Sequence, residues 1–412
     1  MKSVFPKCVA FELCRSLVIL ATLASAACRR HSPGVNAATA PAAVPAGAAT
    51  RAAGEFVRTP RRTILGADEV RVPIELVTYM PVVAFTSGEG VRRRMILDTG
   101  ADSVLVTPGF AAAGRLTTRP SDRTYRDASG TGAGTSIATI ATLELGAARF
   151  EDFDADVAAL YAGSDALLGW PLWRDVLVTI DYRQRMLVLK RGELSEPDGK
   201  RILPLRLDHD RLMVPATLDG REIWLNLDTG WGVGDSVELT TARAAEVAWA
   251  SPAVSTMATN APDGVVAQKL GRLKGDLIVG RYRFVRPIAG VNGGVAADIL
   301  GAVALSNFAV TLDLKKMRVR FDRATDEPIA PGPVWVAGFD CDLKSRPLKV
   351  IGVLPGSEAA RAGLRAGDLL LTIDGRPAFE GLFSHADGPF AIELRSGERT
   401  FSLTVPMTKL VP

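Results

Sequence analysis

The tripeptide Asp-Thr-Gly occurs twice in this chain, as Asp98-Thr99-Gly100 and as Asp228-Thr229-Gly230. Each copy ends a short apolar run: Met95-Ile96-Leu97 before the first, Ile223-Trp224-Leu225-Asn226-Leu227 before the second. A strand that delivers an aspartate into a tight turn, made twice, can set two carboxylates side by side. Such a pair does not readily ionise twice. It shares a proton, so one group can serve as base and the other as acid. One Asp-Thr-Gly alone would say little, because surface turns use the same residues.

The chain around the turns is duplicated. Residues 169–189 align without gaps on residues 301–321, most clearly at Val178-Thr179-Ile180-Asp181 against Val310-Thr311-Leu312-Asp313. A repeat of about 130 residues is too long for a solenoid unit. It predicts two homologous lobes, residues 68–192 and 203–325, related by a pseudo-twofold axis and joined near residues 193–201. Runs such as Ile137-Ala138-Thr139-Ile140-Ala141-Thr142-Leu143 alternate between Gly, Asp and Pro signals, which predicts a mainly β body. Residues 240–247 offer one short helix.

With 412 residues, 47% of them apolar, two or three domains with sizeable cores are expected. The net charge is only +4, and part of it is Lys2, Lys7 and Arg15, so nothing favours nucleic acid as a partner. Those cations precede the apolar run 17–23 and the small residues Ala24-Ser25-Ala26-Ala27, so residues 1–27 read as an export signal. Cys28 follows directly and resembles the acylated cysteine of a bacterial lipoprotein, although Ser25 stands where Leu is usual. Two readings stay open there: a membrane tether through Cys28, or simple secretion to the periplasm. Residues 28–67, rich in Ala, Pro and Gly at the start, are expected to form a flexible spacer. Cys8 and Cys14 would leave with the signal, and Cys28 with Cys341 makes no disulfide framework.

Each lobe carries a second element about 70 residues after its aspartate, Leu167-Leu168-Gly169 and Ile299-Leu300-Gly301. Together with the paired turns, these resemble the pepsin/retropepsin class of aspartic peptidases over residues 68–325. The resemblance implies a bilobal acid-protease-type pair of β-barrels, complete in one chain and so monomeric. It implies a catalytic dyad, Asp98 and Asp228, holding one water. Thr99 and Thr229 would bond the opposite loop's backbone, and Gly100 and Gly230 would admit geometry that a Cβ obstructs. A flap would lie at residues 127–135, with Ser129, Gly130, Thr131 and Gly132 at its tip. The implied partner is an extended polypeptide substrate, and neither a metal nor an organic cofactor is called for. Ala101 lacks the hydroxyl that pepsin-type enzymes carry there, which implies a less acidic optimum than pepsin's. Asp102 and Asp235, past the turns, read as structural.

The second copy departs from the pattern. Trp231-Gly232-Val233-Gly234 separates Gly230 from Asp235-Ser236-Val237, whereas Ala101 alone separates Gly100 from Asp102-Ser103-Val104. Trp231 either lines a substrate pocket or blocks one. An active endopeptidase therefore stands beside two alternatives, a non-catalytic envelope peptide-binding protein and a protein that cleaves only itself. Other chemistries are poorly supplied: the three histidines, His31, His209 and His385, have no metal-ligand spacing, and no Gly-x-Ser-x-Gly elbow occurs.

After Pro328, Pro331 and Pro333, residues 332–408 resemble a bacterial PDZ domain, an α+β unit, most clearly in Ala362-Gly363-Leu364 and Gly367-Asp368. The resemblance implies capture of a peptide C-terminus by strand addition, with Ala337, Gly338 and Phe339 as the carboxylate loop. The helix that should wall the groove is reduced to about residues 382–388, so a lid or interaction module that grips no peptide is the alternative.

Overall fold

The computed structural model describes residues 55–411, apart from residues 87–91, 122–123, 128–129, 134–135, 161–163, 233–235, 252–253, 262–263, 343–344 and 379–387. The expected export signal, Cys28 and the first part of the spacer lie outside the described residues.

The described chain is mainly β. In the first lobe Arg92–Asp98 (β1) runs into the first turn and Val104–Val106 (β2) leaves it. Ala166–Gly169 (β3) returns between them, parallel to β1 with Gly169 opposite Asp98, and antiparallel to β2. Every residue of β2 and β3 is buried. That is why Leu167 and Leu168 sit in an unbroken apolar run rather than an alternating one.

Leu177–Asp181 (β4) then enters a six-stranded sheet built from both copies. The second lobe repeats the first: Arg221–Leu227 (β5) runs into the turn, Val237–Leu239 (β6) leaves it, and Ile299–Leu300 (β7) returns between them. Ala309–Asp313 (β8) is the repeat counterpart of β4, and the two pair antiparallel with Thr179 opposite Thr311. Their hydroxyls lie 2.8 Å apart. Thr179 and Thr311 are repeat mates that face each other, so the pseudo-twofold axis passes between them. One apolar core runs through both lobes, from Phe150 and Trp173 in the first to Phe284, Phe308 and Phe321 in the second.

The spacer expectation is corrected at its C-terminal end. Arg62–Leu65 pairs antiparallel with residues 148–151, and Val57 exchanges backbone and side-chain hydrogen bonds with the buried Asp154. Ile64 and Leu65 give this stretch enough apolar surface to join the sheet, and the Ala/Pro-rich composition upstream hid it. The short helix is Thr241–Glu246, capped by Thr240, whose hydroxyl accepts the Arg243 N–H at 3.2 Å.

The proline-marked linker is strapped to the second lobe. Ile329 donates its N–H to the Arg283 carbonyl at 2.8 Å and accepts from Val285 at 2.7 Å. The Arg272 guanidinium donates to the carbonyls of Pro331 and Gly332. Val334–Val336 (β9) follows, then Phe339–Asp342 (β10), the edge strand of the C-terminal sheet. The last strand, Thr408–Val411 (β11), returns to pair with β9, and Val334, Leu410 and Val411 pack on Leu270 and Ile288 of the second lobe. This C-terminal domain has its own core, centred on Val350, Leu370, Ile392 and Leu394. Its helix Glu358–Arg361 is capped by Ser357. The expected groove helix, residues 382–388, lies outside the described residues except for Gly388.

Candidate active site

The two turns meet across the lobe boundary. The Thr99 hydroxyl donates to the Leu227 carbonyl at 2.6 Å, and the Thr229 hydroxyl donates to the Leu97 carbonyl at 2.6 Å. In return the Thr99 N–H donates to the Thr229 hydroxyl at 3.1 Å, and the Thr229 N–H to the Thr99 hydroxyl at 3.1 Å. Each threonine is therefore both donor and acceptor across the joint, and both are buried.

This lock brings the aspartates together. Asp98 Oδ1 accepts the Gly100 N–H at 2.8 Å and Asp228 Oδ1 accepts the Gly230 N–H at 2.8 Å, so each carboxylate is held by its own turn. Each also lies over the opposite glycine. A methyl group on Gly100 would stand 2.7 Å from Asp228 Oδ1, and one on Gly230 would stand 2.7 Å from Asp98 Oδ1. That approach requires glycine at both positions. Asp98 is 7% exposed and Asp228 2% exposed. Each carboxyl group therefore lies against the opposite turn with little access to water.

β3 and β7 support the turns from beneath. A methyl on Gly169 would stand 2.8 Å from the Ala101 carbonyl, and one on Gly301 would stand 2.9 Å from the Trp231 carbonyl. The Trp170 N–H bonds the Ala101 carbonyl, and the Ala302 N–H bonds the Trp231 carbonyl. Trp231 thus occupies the place of Ala101, and the extra residues of the second turn are 232–234. The indole packs on Val295 and Ile299 of its own lobe, with its N–H unpartnered. The insertion then passes the first lobe: a methyl on Gly232 would meet the Thr78 carbonyl and stand 2.7 Å from Met80 Cγ.

Asp102 pairs with Arg58 at 3.2 Å, and Arg58 also reaches Asp210, so Asp102 ties the N-terminal segment to the turn. Asp235 lies outside the described residues. In the expected flap region Thr124–Asp127 pairs antiparallel with Gly130–Ala133, so Gly130, Thr131 and Gly132 lie on the second strand of a hairpin. Ser129 lies outside the described residues. The second lobe carries a longer hairpin, Val254–Ala261 with Gly264–Arg272.

In the C-terminal domain Gly338 adopts a left-handed conformation, φ +79°, and its carbonyl accepts the Leu354 N–H at 2.8 Å. Ala337 is half-buried against the core, and Phe339 opens β10, its ring edge-to-face with Phe390 at 5.9 Å. His209 is an exposed residue beside Asp208. Among the described residues no three His, Cys, Asp or Glu side chains gather as a metal site.

Three buried groups near the dyad were not singled out from sequence. Tyr182 is buried with an unpartnered hydroxyl, and its pKa is pushed up first by burial and then by the Asp228 charge. Asn226 and Glu238 are fully buried in the second lobe. Their signal was available: each is a polar residue where the first lobe has an apolar one.

Comparison with known proteins bears on the first lobe and the C-terminal domain. Residues 83–172, which span β1, the Asp98 turn and β3, match the aspartyl protease family model. The match lies within the first lobe, so it is this segment that is similar to aspartyl proteases. Residues 349–382 match the PDZ domain model. No curated protein matches the chain. Among solved structures, the HtrA3 PDZ domain bound to a phage-derived ligand is 20% identical, with a TM-score of 0.17, over 19% of this chain and 89% of that one. Basic 7S globulin from soybean is 12% identical, with a TM-score of 0.35, over 63% of this chain and 96% of that one.

Proposed function

We propose that this protein is an exported aspartic endopeptidase that hydrolyses peptide bonds through Asp98 and Asp228. The observation that carries the reading is the reciprocal approach of each turn glycine to the opposite carboxylate. A single water held between the two acids is the nucleophile in this reading. The ionised carboxylate takes a proton from that water as its oxygen attacks the peptide carbonyl carbon. The protonated partner gives its proton to the carbonyl oxygen, which becomes the second hydroxyl of a tetrahedral intermediate. Collapse of that intermediate breaks the C–N bond: one hydroxyl returns its proton to the ionised carboxylate, and the departing nitrogen takes the proton that the first carboxylate removed from water.

The hairpin at residues 124–133 acts as a flap over the bound polypeptide. The PDZ-like domain selects substrate or partner peptide ends at β10 through the Ala337-Gly338-Phe339 loop. The chain works as a monomer, since both halves of the site are its own. It acts in the periplasm or cell envelope, with Cys28 as a candidate lipid anchor.

Asp98→Asn and Asp228→Asn are each expected to lower peptide hydrolysis by about a thousandfold or more while the protein stays folded. Full activity in either variant would overturn the dyad. Wild-type protein that binds a transition-state analogue but cleaves no peptide at any pH would mark a peptide-binding protein instead. Cleavage confined to the spacer of its own chain would mark self-processing. Metabolic labelling with a palmitate analogue, lost in Cys28→Ser, would establish the anchor, and unlabelled protein in the periplasmic fraction would exclude it.

A further inference from the structure

The lobes differ at one row of side chains, and the difference is chemical. In the first lobe Ile96 on β1, Leu167 on β3 and Leu105 on β2 are register partners across the three strands. Register partners project from the same face of a sheet, and Ile96 stands two residues before Asp98, so this row lies one pleat below the first carboxylate. It is apolar, and Leu105 and Leu167 pack with Ala101 and Ala158.

In the second lobe the same row reads Asn226 on β5, Ile299 on β7 and Glu238 on β6. Asn226 replaces Ile96, Glu238 replaces Leu105, and Trp231 replaces Ala101. Asn226 and Glu238 are both 0% exposed. Neither the carboxamide oxygen nor the nitrogen of Asn226 has a hydrogen-bond partner, and neither has the indole N–H of Trp231, which packs on Ile299 between them. A buried carboxamide with all its hydrogen bonds unmade is costly, and the apolar row in the first lobe shows that the fold does not need one.

We propose that Asn226, Trp231 and Glu238 form a polar specificity subsite on the second-lobe side of the cleft. It takes a substrate side chain with a hydrogen-bonding head group, while the first-lobe row takes an apolar one. Asn226 offers one acceptor and two donors and Trp231 one donor, which complements a carboxamide such as that of Gln. Glu238 adds a carboxylate that favours donors. The entering group displaces the indole from Ile299 and receives the hydrogen bonds that are unmade in the free protein. The proposal rests on the peptidase reading for where a substrate lies.

The test is cleavage of a peptide library by the full chain, with the wild type, Asn226→Ile/Glu238→Leu and Trp231→Phe compared. The wild type is expected to require an apolar residue on one side of the scissile bond and a polar one on the other. The double variant should lose about tenfold or more of the polar preference and accept apolar residues on both sides, and Trp231→Phe should lose part of it. An unchanged profile in the double variant overturns the subsite and leaves an internal water as the row's only occupant. Absence of any cleavage by the wild type defeats the peptidase reading instead. The subsite is then read from binding to Asp98→Asn protein of two peptides that differ by Gln against norleucine. A preference for Gln that Asn226→Ile abolishes supports it, and equal binding overturns it.

Discussion

Thr99 and Thr229 hold each other's turns by four hydrogen bonds, two given and one received by each residue. The carbonyls they reach, Leu227 and Leu97, are the residues just before the two aspartates. The lobes are therefore joined at the site itself, and the spacing of the carboxylates is fixed by groups that are not carboxylates. Thr99→Val keeps the shape but removes the hydroxyl, stranding the Leu227 carbonyl and the Thr229 N–H in a buried joint. Each stranded group costs about 1–3 kcal/mol, so the variant should lose about 2–6 kcal/mol of stability. Thr99→Ser should lose much less, and chemical denaturation of the two variants separates them.

Gly100 and Gly230 make a different demand, because there the opposite carboxylate occupies the space of a side chain. Gly100→Ala should push Asp228 away and Gly230→Ala should push Asp98 away. Both variants should fold, since only the carboxylate at the end of a side chain must shift, but hydrolysis should fall by about a hundredfold or more. A peptide assay alongside a thermal melt checks this. Unchanged hydrolysis by Gly100→Ala would mean that the two carboxyl groups tolerate a wider spacing than the structure gives them.

Much of this arrangement was legible in the sequence, because duplication doubles every weak signal. The Asp-Thr-Gly turns, Leu167-Leu168-Gly169 with Ile299-Leu300-Gly301, and the strands around Thr179 and Thr311 were each readable because they recur in register. What could not be read was tertiary. Arg62–Leu65 joins the sheet only because residues 148–151 offer it an edge, which no local pattern announces. The alignment showed extra residues after Gly230, but only the carbonyl contacts of Trp231 show that it stands in the place of Ala101. Asn226 sat in plain view in the strand before Asp228, yet its lack of partners is a property of the packed lobe.

The Thr179–Thr311 pair on the axis lends itself to a double-mutant cycle. The hydroxyls are 2.8 Å apart, and Thr311 is buried. Thr311→Val leaves the Thr179 hydroxyl without its partner, and Thr179→Val leaves the Thr311 hydroxyl with only the Arg320 guanidinium at 3.4 Å. Each single change should cost about 1–2 kcal/mol, while the double change to a Val–Val pair should cost less than their sum. Valine suits a strand at both positions, so the coupling reports the hydrogen bond rather than strand propensity. Additive costs would place the contribution of these residues elsewhere than in the pair.

Cys341 gives the C-terminal domain a dependence on alkaline pH. Its thiol is buried, and burial first, then the neighbouring charges of Asp340 and Asp342, push its pKa up to about 12 from 9.0. The fold thus favours the neutral thiol. Its contribution is fully present below pH 9, the unfolded value, and is lost as pH rises towards 12. At pH 8 the native thiolate fraction is on the order of 10⁻⁴, so an alkylating reagent should leave Cys341 unmodified in the folded protein and modify it readily in denaturant. Peptide mapping after timed alkylation reads this residue apart from the other three cysteines of the chain. Cys341→Ala removes the titrating group, so its unfolding midpoint should fall less than that of the wild type between pH 9 and 11. Equal slopes for the two proteins would show that the thiol is not what makes the domain sensitive to base.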